Sequence, residues 1–410
     1  MKLKYLPLLL LAVMSLVACS DDDDDNDVRP VEFAKHYAAA DLDLTFSGNK
    51  VAGKDILFTP DENDIEKATL TLTGARFNMM DAVTKADNQP MNFLTSSIFA
   101  GEPSVTLPIE MDVNGDMGTF EGTGESKYYT FSYTGNVIES KLNIEFKDVV
   151  LKNNPLADTN WKLQEFKTDP QTGALVTAPI INVWESTGKL EIMPGFGLPI
   201  GDVLTLAFGM ELIDNGNGKK VSVYQTVYDL LKGIHFCKDG GIEATYVDAK
   251  KKQQAVSSPV LAQYVVTDGN IVRLVLNPFE ITAAAKQNNQ GQAPSDNMSA
   301  AITNILPMIL GSIDTENLLT NGIPLRYENV ETGMTVFLDE TMLMPVLSQV
   351  VPMFEHPETV DAIATKVLEM MKLDPADEKT KNTIKSVLSS IPGIITGTSK
   401  IELGLNFVKM

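Results

Sequence analysis

The sequence predicts a mainly β protein whose second half carries inserted helices. Three observations lead there. Residues 41–150 place apolar side chains at every second position in one run after another, and turn residues separate those runs. Only beyond residue 280 do apolar residues recur at helical spacing over long stretches.

In the first half, "DLDLTFSG", "KATLTLTG", "SVTLPIEMDV", "YYTFSYTG" and "SKLNIEFKDV" each alternate as half-buried strands do. Asn114-Gly115 and Gly135-Asn136 read as short hairpin connections. Short strands at regular spacing predict an antiparallel barrel or sandwich over residues 36–153. The polar, proline-bearing "NNPLAD" at 153–158 is the linker to a second domain, 158–410.

That domain opens on "TNWKL" and continues through "GKLEIMP", "GIHFCKDGGIEATYVD", "LAQYVVTDGNIVRLVLNP", "IPLRYENVETGMTVFLDE" and "SKIELGLNF". Asp239-Gly240-Gly241 and Asp268-Gly269-Asn270 supply its turns. Between the strands, "SAAITNILPMILGSI", "ETMLMPVLSQVVPMF", "ETVDAIATKVLEMMKL" and "DEKTKNTIKSVLSSI" have the helical period, with Asp377 as a helix start. They fall into two insertions, 281–320 and 341–392, each returning to strands of the same domain. The expectation is a helical cap on the second barrel, with any ligand of that domain held between cap and barrel.

At 410 residues the chain exceeds one ordinary core, which agrees with two domains. Its net charge is −21, and −23 once Lys2 and Lys4 leave with a leader. Such a surface repels phosphate backbones, so no nucleic-acid partner is expected.

The leader itself reads as a signal peptide, residues 1–18: "MKLKY" supplies positive charge and "LPLLLLAVMSLVA" a run too short for a permanent anchor helix. "LVAC" at 16–19 matches the bacterial lipobox, in which the thiol of Cys19 carries diacylglycerol and becomes the first mature residue. Ser20 and the acids Asp21, Asp22, Asp23, Asp24 and Asp25 follow, and their mutual repulsion makes residues 19–35 an extended tether. The same residues resemble the export signal of Bacteroidota surface lipoproteins. Only Cys237 remains after Cys19, so no internal disulfide is expected.

Taken with these motifs, the chain resembles the calycin-like and lipocalin-like lipoproteins of gut Bacteroidota, a group largely of unknown function. The first domain carries the resemblance in "GTFEGTGESKYYTFSYTGNVIESKLNIEF" and the second in "TNWKL", "IHFCKDGGIEATY" and "YVVTDGNIVRLVLNP". It implies an N-terminal calycin-like antiparallel β domain followed by a lipocalin-like β-barrel with inserted α-helices, anchored in the outer membrane and exposed at the cell surface. One departure is that Thr159 stands where lipocalins place glycine, two before Trp161.

Catalytic patterns are incomplete. Ser186 to Lys189 fits S-x-x-K and Ser295 to Asn297 fits S-D-N, but Gly188 and the strand-like run after it deny the helix that would bring serine and lysine together, and K-T-G is absent from the sequence. His235 and Cys237 face one way on a strand and could seed a soft-metal site. With only His36 and His356 as further imidazoles, the favoured reading is a free cysteine beside a histidine in a core strand. Asp112 to Thr123 spaces oxygens like a calcium loop but has Met117 where glycine is required, and a hairpin explains it as well.

The expected function is therefore a non-enzymatic surface binding or accessory module. It would touch the membrane through its diacylglyceryl cysteine and take a small hydrophobic or glycan ligand, without a cofactor. The alternatives are an envelope scaffold with a filled barrel and a hydrolase with dispersed carboxylates. Trp161, Trp184, Tyr224, Tyr228 and Tyr246 are the rings that could stack on sugars or simply fill the core.

Overall fold

The computed structural model describes residues 33, 35–78, 92–138, 140–193, 195–214, 218–248, 252–288, 314–330, 332–370, 374 and 377–410. It is mainly β, with curled sheets and a half-barrel. Residues 33–410 form one compact unit.

Chain order in the first half is β1 (Lys35–Ala38), β2 (Leu42–Phe46), β3 (Asn49–Lys50), β4 (Lys54–Pro60), β5 (Lys67–Gly74), a side ribbon of β6 (Arg76–Asn78) and β7 (Asn92–Leu94), then β8 (Ser104–Asn114), β9 (Met117–Glu125), β10 (Tyr129–Ile138) and β11 (Lys141–Leu151). Nine of these strands form one sheet in the order β1-β4-β5-β8-β9-β10-β11-β2-β3. β1 and β2 lie near opposite ends of that order, yet only a 3-10 turn, Ala39–Asp41, separates them. At ~3.8 Å per residue that link spans no more than about 15 Å, so the sheet must curl until its ends meet.

The alternation seen in the sequence decides what fills this curl. β5 and β8 turn Leu70, Leu72, Val105, Leu107, Ile109 and Met111 inward. The interior is completed by the loop after β7, whose Ser96, Ser97, Phe99 and Ala100 are all buried. Phe99 stacks on Phe131 with centroids 4.4 Å apart and meets Phe146 edge-on at 5.2 Å. Lys54 ties the loop in place: its buried ammonium donates to the carbonyl oxygens of Ser96 at 2.9 Å and Ser97 at 3.1 Å. Desolvation lowers its pKa to about 8, against the opposing pull of Glu280. Among the described residues, buried side chains thus fill the inside of the first curl.

One expected hairpin is corrected. Gly135-Asn136 lies inside β10, paired to Phe120-Thr119 on one side and Ile144-Asn143 on the other. Glycine is needed there for space, since a Cβ at Gly135 would come within 2.3 Å of the Phe120 ring. Asn114-Gly115 does join β8 to β9, so the Asp112 segment is a hairpin.

The second half supplies β12 (Thr159–Leu163), a ribbon of β13 (Lys167–Thr168) and β14 (Leu175–Thr177), β15 (Ile180–Ser186), a ribbon of β16 (Leu190–Met193) and β17 (Phe196–Leu198), helix α1 (Ile200–Gly209), a ribbon of β18 (Ile213–Asp214) and β19 (Lys220–Val221), and α2 (Val223–Leu230). Next come β20 (Leu231–Phe236), β21 (Ile242–Val247), β22 (Gln254–Val256), β23 (Ala262–Val266), β24 (Ile271–Leu276), α3 (Pro278–Asn288), α4 (Thr315–Asn321), β25 (Ile323–Val330), β26 (Gly333–Leu338), α5 (Glu340–Glu355), α6 (Pro357–Met370), α7 (Glu378–Thr396) and β27 (Thr398–Lys409). The sheet order is β22-β21-β20-β12-β27-β26-β25-β24-β23, and β15 pairs the first part of β27. Gly241 bridges to Gln263 of β23, so the two ends of this sheet also approach each other.

Trp161 is a core residue, 1% exposed, as its position at a domain start suggested. Thr159 holds its ring: the Thr159 hydroxyl accepts from the indole Nε1 at 2.9 Å and donates to the Leu156 carbonyl at 2.6 Å.

The helices divide by partner. α5, α6 and α7 pack on one another, with α7 against β16 and α5 against β26 and β27. Asp377 caps α7, accepting from the Lys379 and Thr380 amides, as expected from the sequence. The first insertion behaves differently from the expected cap. Phe279 of α3 meets Phe77 of the first sheet's side ribbon, Glu280 accepts from the Ala52 amide at 2.8 Å, and the Leu319 carbonyl of α4 accepts from the Ser96 amide at 3.0 Å. These helices link the two sheets: α4 packs on β24 of the second sheet as well as on β7 of the first sheet's side ribbon. "SAAITNILPMILGSI" lies outside the described residues.

Candidate functional site

A chemically diverse site among the described residues lies on the outer face of the second sheet. β20 and β21 form a hairpin closed by Cys237 and Gly241, with Gly240 at φ +86° in its turn. In its register His235 sits directly opposite Glu243, and Asn160 of β12 is opposite His235 on the other side. Because strand side chains alternate, Asn160, Lys162, His235, Cys237, Glu243 and Thr245 share one face. Trp161 and Phe236 take the other face and are buried in the core.

On that outer face is a cleft of about 560 Å³ whose lining includes Lys162, Tyr228, His235, Glu243, Thr245 and Gln254. Helix α2 brings Tyr228, and the Lys232 ammonium sits 4.6 Å from the centre of its ring while donating to the Tyr228 carbonyl at 2.7 Å. Of the five aromatic candidates, Tyr228 is the half-buried ring that lines this cleft, while Trp161 borders it with its ring buried in the core. Tyr224 is buried, stacked on Phe166, and Trp184 donates its indole Nε1 to Thr398 Oγ1 at 2.8 Å.

Donor atoms of His235, Cys237 and Glu243 all lie within 4.8 Å of one another, and all three residues are half-buried. His235 Nδ1 is 3.2 Å from the Thr159 carbonyl oxygen, a partner that can only accept. In the neutral ring that contact places the proton on Nδ1 and the lone pair on Nε2. Burial pushes the Cys237 thiol up to about 12, and the carboxylates of Asp239, Glu243 and Asp158 act in the same direction. Cys237 is a free cysteine beside His235, as expected, and is half-buried rather than fully buried. Glu243 was missed, although counting back across the Asp239-Gly240-Gly241 turn places it opposite His235.

A second cleft, about 680 Å³, lies on the first sheet and is lined by Asp64, Glu66, Lys67, Glu110, Asp112 and Glu121 among others. Glu66, Glu110, Asp112 and Glu121 are exposed, and Lys67 pairs with Asp64 at 2.6 Å. Ser186 ends strand β15, where its hydroxyl donates to the Ile394 carbonyl at 2.7 Å. Cys19, Ser20 and Asp21 to Asp25 lie outside the described residues, as do Ser295 to Asn297.

Among the described residues no helix is long and apolar enough to cross a membrane. Comparison with protein-family models, with curated proteins and with solved structures returns no match to this chain.

Proposed function

We propose that this protein is a lipid-anchored lipoprotein of the outer membrane, exposed at the cell surface, that binds a ligand without catalysis through a calycin-like module followed by a lipocalin-like one. The observation that carries the reading is the run "LVACSDDDDD", residues 16–25, in which a lipidation motif at Cys19 passes directly into an acidic export-like signal. The open cleft beside Tyr228 supports a binding role, since an aromatic face beside amide and hydroxyl groups suits a glycan.

Fractionation tests the anchor. Cys19→Ala should leave the membrane fraction and lose lipid labelling, and a variant still lipidated and membrane-bound would overturn it. Replacing Asp21 to Asp25 with alanine should hide the protein from protease added to intact cells while leaving lipidation intact. Unchanged exposure would reduce the acids to a spacer.

The scaffold reading has one observation in its favour, the packed interior of the first sheet around Phe99 and Phe131. Hydrogen exchange with candidate glycans and lipids separates the two. Protection at 228–235 and 243–256 supports binding, whereas a surface protected only by other envelope proteins supports the scaffold.

A further inference from the structure

His235, Cys237 and Glu243 bring nitrogen, sulfur and oxygen donors to one point on an outward-facing sheet surface. No hydrogen bond between these three side chains is needed to explain their proximity. The hairpin register alone sets His235 against Glu243, and the two-residue repeat adds Cys237. Their donor atoms lie within 4.8 Å of one another, at most about 1 Å beyond the ~3.5 Å between donors around a tetrahedral ion bonded at roughly 2.0–2.3 Å. Side-chain torsions of His and Glu close such a gap without moving the strands.

We propose that His235 Nε2, Cys237 Sγ and a Glu243 carboxylate oxygen form a binding site for a borderline-soft divalent cation, with zinc the best match. The mixed donor set selects against calcium and magnesium, which take oxygen alone. The Thr159 carbonyl orients the imidazole from behind, as outer-shell acceptors do for metal-bound histidines. Asp158 and Asp239 stand close enough to act on Cys237 and add negative potential for an arriving cation. His235 and Glu243 line the cleft, so a fourth coordination position opens onto it, available to water or to a donor atom of a bound ligand. The site does not depend on how the protein is anchored.

Cobalt(II) titration of the full chain tests this, in a Cys19→Ala background that leaves Cys237 as the single thiol. The expected result is one equivalent bound, with a thiolate-to-cobalt charge-transfer band and visible bands of a tetrahedral site, both removed by added zinc. Cys237→Ser should abolish the charge-transfer band. His235→Ala and Glu243→Gln should each weaken binding by about tenfold or more, since even outer-shell changes commonly cost that much. Zinc should raise the melting temperature of the parent and not of Cys237→Ser. If Cys237→Ser fails to fold, Glu243→Gln decides, because it changes neither shape nor core. Absence of stoichiometric uptake, or uptake indifferent to His235→Ala and Glu243→Gln, overturns the proposal.

Discussion

Phe77 and Phe279 meet edge-on across the junction of the two sheets, with ring centroids 5.1 Å apart and planes 75° from each other. The pair joins a side ribbon of the first sheet to a helix about 200 residues later, and a Cβ at Gly53 would strike the Phe279 ring at 2.1 Å. Elsewhere, the Tyr264 hydroxyl of the second sheet accepts from Asn154 Nδ2 at 2.7 Å, and the Leu151 amide at the end of β11 donates to the Lys238 carbonyl at 2.9 Å. Contacts of this density couple the stabilities of the two sheets.

Phe279→Ala should therefore lower stability by about 1–3 kcal/mol, less than a fully buried phenylalanine because the ring is half-buried. Calorimetry should show one transition for the parent and a broadened or split transition for the variant. Two well-separated transitions in the parent would show that the sheets unfold independently.

Gly135 makes a sharper steric prediction. An added methyl would face the Phe120 ring at 2.3 Å and the Asn143 carbonyl at 2.7 Å. Gly135→Ala should cost roughly 1–3 kcal/mol through overpacking. Phe120→Leu, combined with it, should recover part of the loss, since the smaller side chain vacates the contested space. Denaturant midpoints of the two single variants and the double variant measure this, and strict additivity would rule out the clash as the cause.

These cases show what could be read from sequence and what could not. β5 was legible because "KATLTLTG" has one wet and one dry face. β15, "IINVWES", was not, because it is half-buried along nearly its whole length and carries no alternation. α1, "IGDVLTLAFG", is apolar on most sides, and α2 is only eight residues, so neither gives a clear helical stripe. Gly135 imitates a turn signal because glycine serves both tight turns and close packing. The clamp made by α3 was invisible because its partners, Ala52, Gly53 and Phe77, are fixed by tertiary folding alone. For the outer-face site, His235 and Cys237 could be paired from spacing, while Glu243 required the register of the hairpin.

Asp339 caps α5 and meets Arg326 of β25 with its other oxygen. Burial pushes its carboxyl pKa up, but hydrogen bonds from Thr341 and Arg326 outweigh this and hold it below the ordinary range. The carboxylate contributes stability above its unfolded pKa, and that contribution is lost as pH falls through the lower folded value. Asp339→Ala should cost about 1–2 kcal/mol at neutral pH, and Asp339→Asn less, because the amide still caps the helix. The deficit of Asp339→Asn should shrink in acid. An equal deficit at every pH would mean that charge has no part in it.

Lys54 allows the opposite pH dependence to be tested. Its ammonium is buried between β4 and the loop carrying Phe99, with two carbonyl partners, and its pKa falls from 10.5 to about 8 because desolvation outweighs the attraction of Glu280. Below pH 8 both folded and unfolded chains hold this proton, and the cost of burying the charge is fully present. Between pH 8 and 10.5 the folded chain releases the proton while the unfolded chain keeps it, so stability contributed by this residue rises with pH. The total relief is on the order of 3 kcal/mol, because each tenfold weakening of proton binding is worth about 1.4 kcal/mol. Exposed lysines such as Lys67, whose pKa is raised by its hydrogen bond to Asp64, pull the whole-protein profile the other way, so the comparison must be differential. Lys54→Met removes the charge and leaves the Ser96 and Ser97 carbonyls without this donor, a cost that does not change with pH. Subtracting the two stability curves isolates the titration. The parent should gain on Lys54→Met steadily from pH 8 toward 10.5, and a flat difference across that window would show that Lys54 is not buried as a charged group.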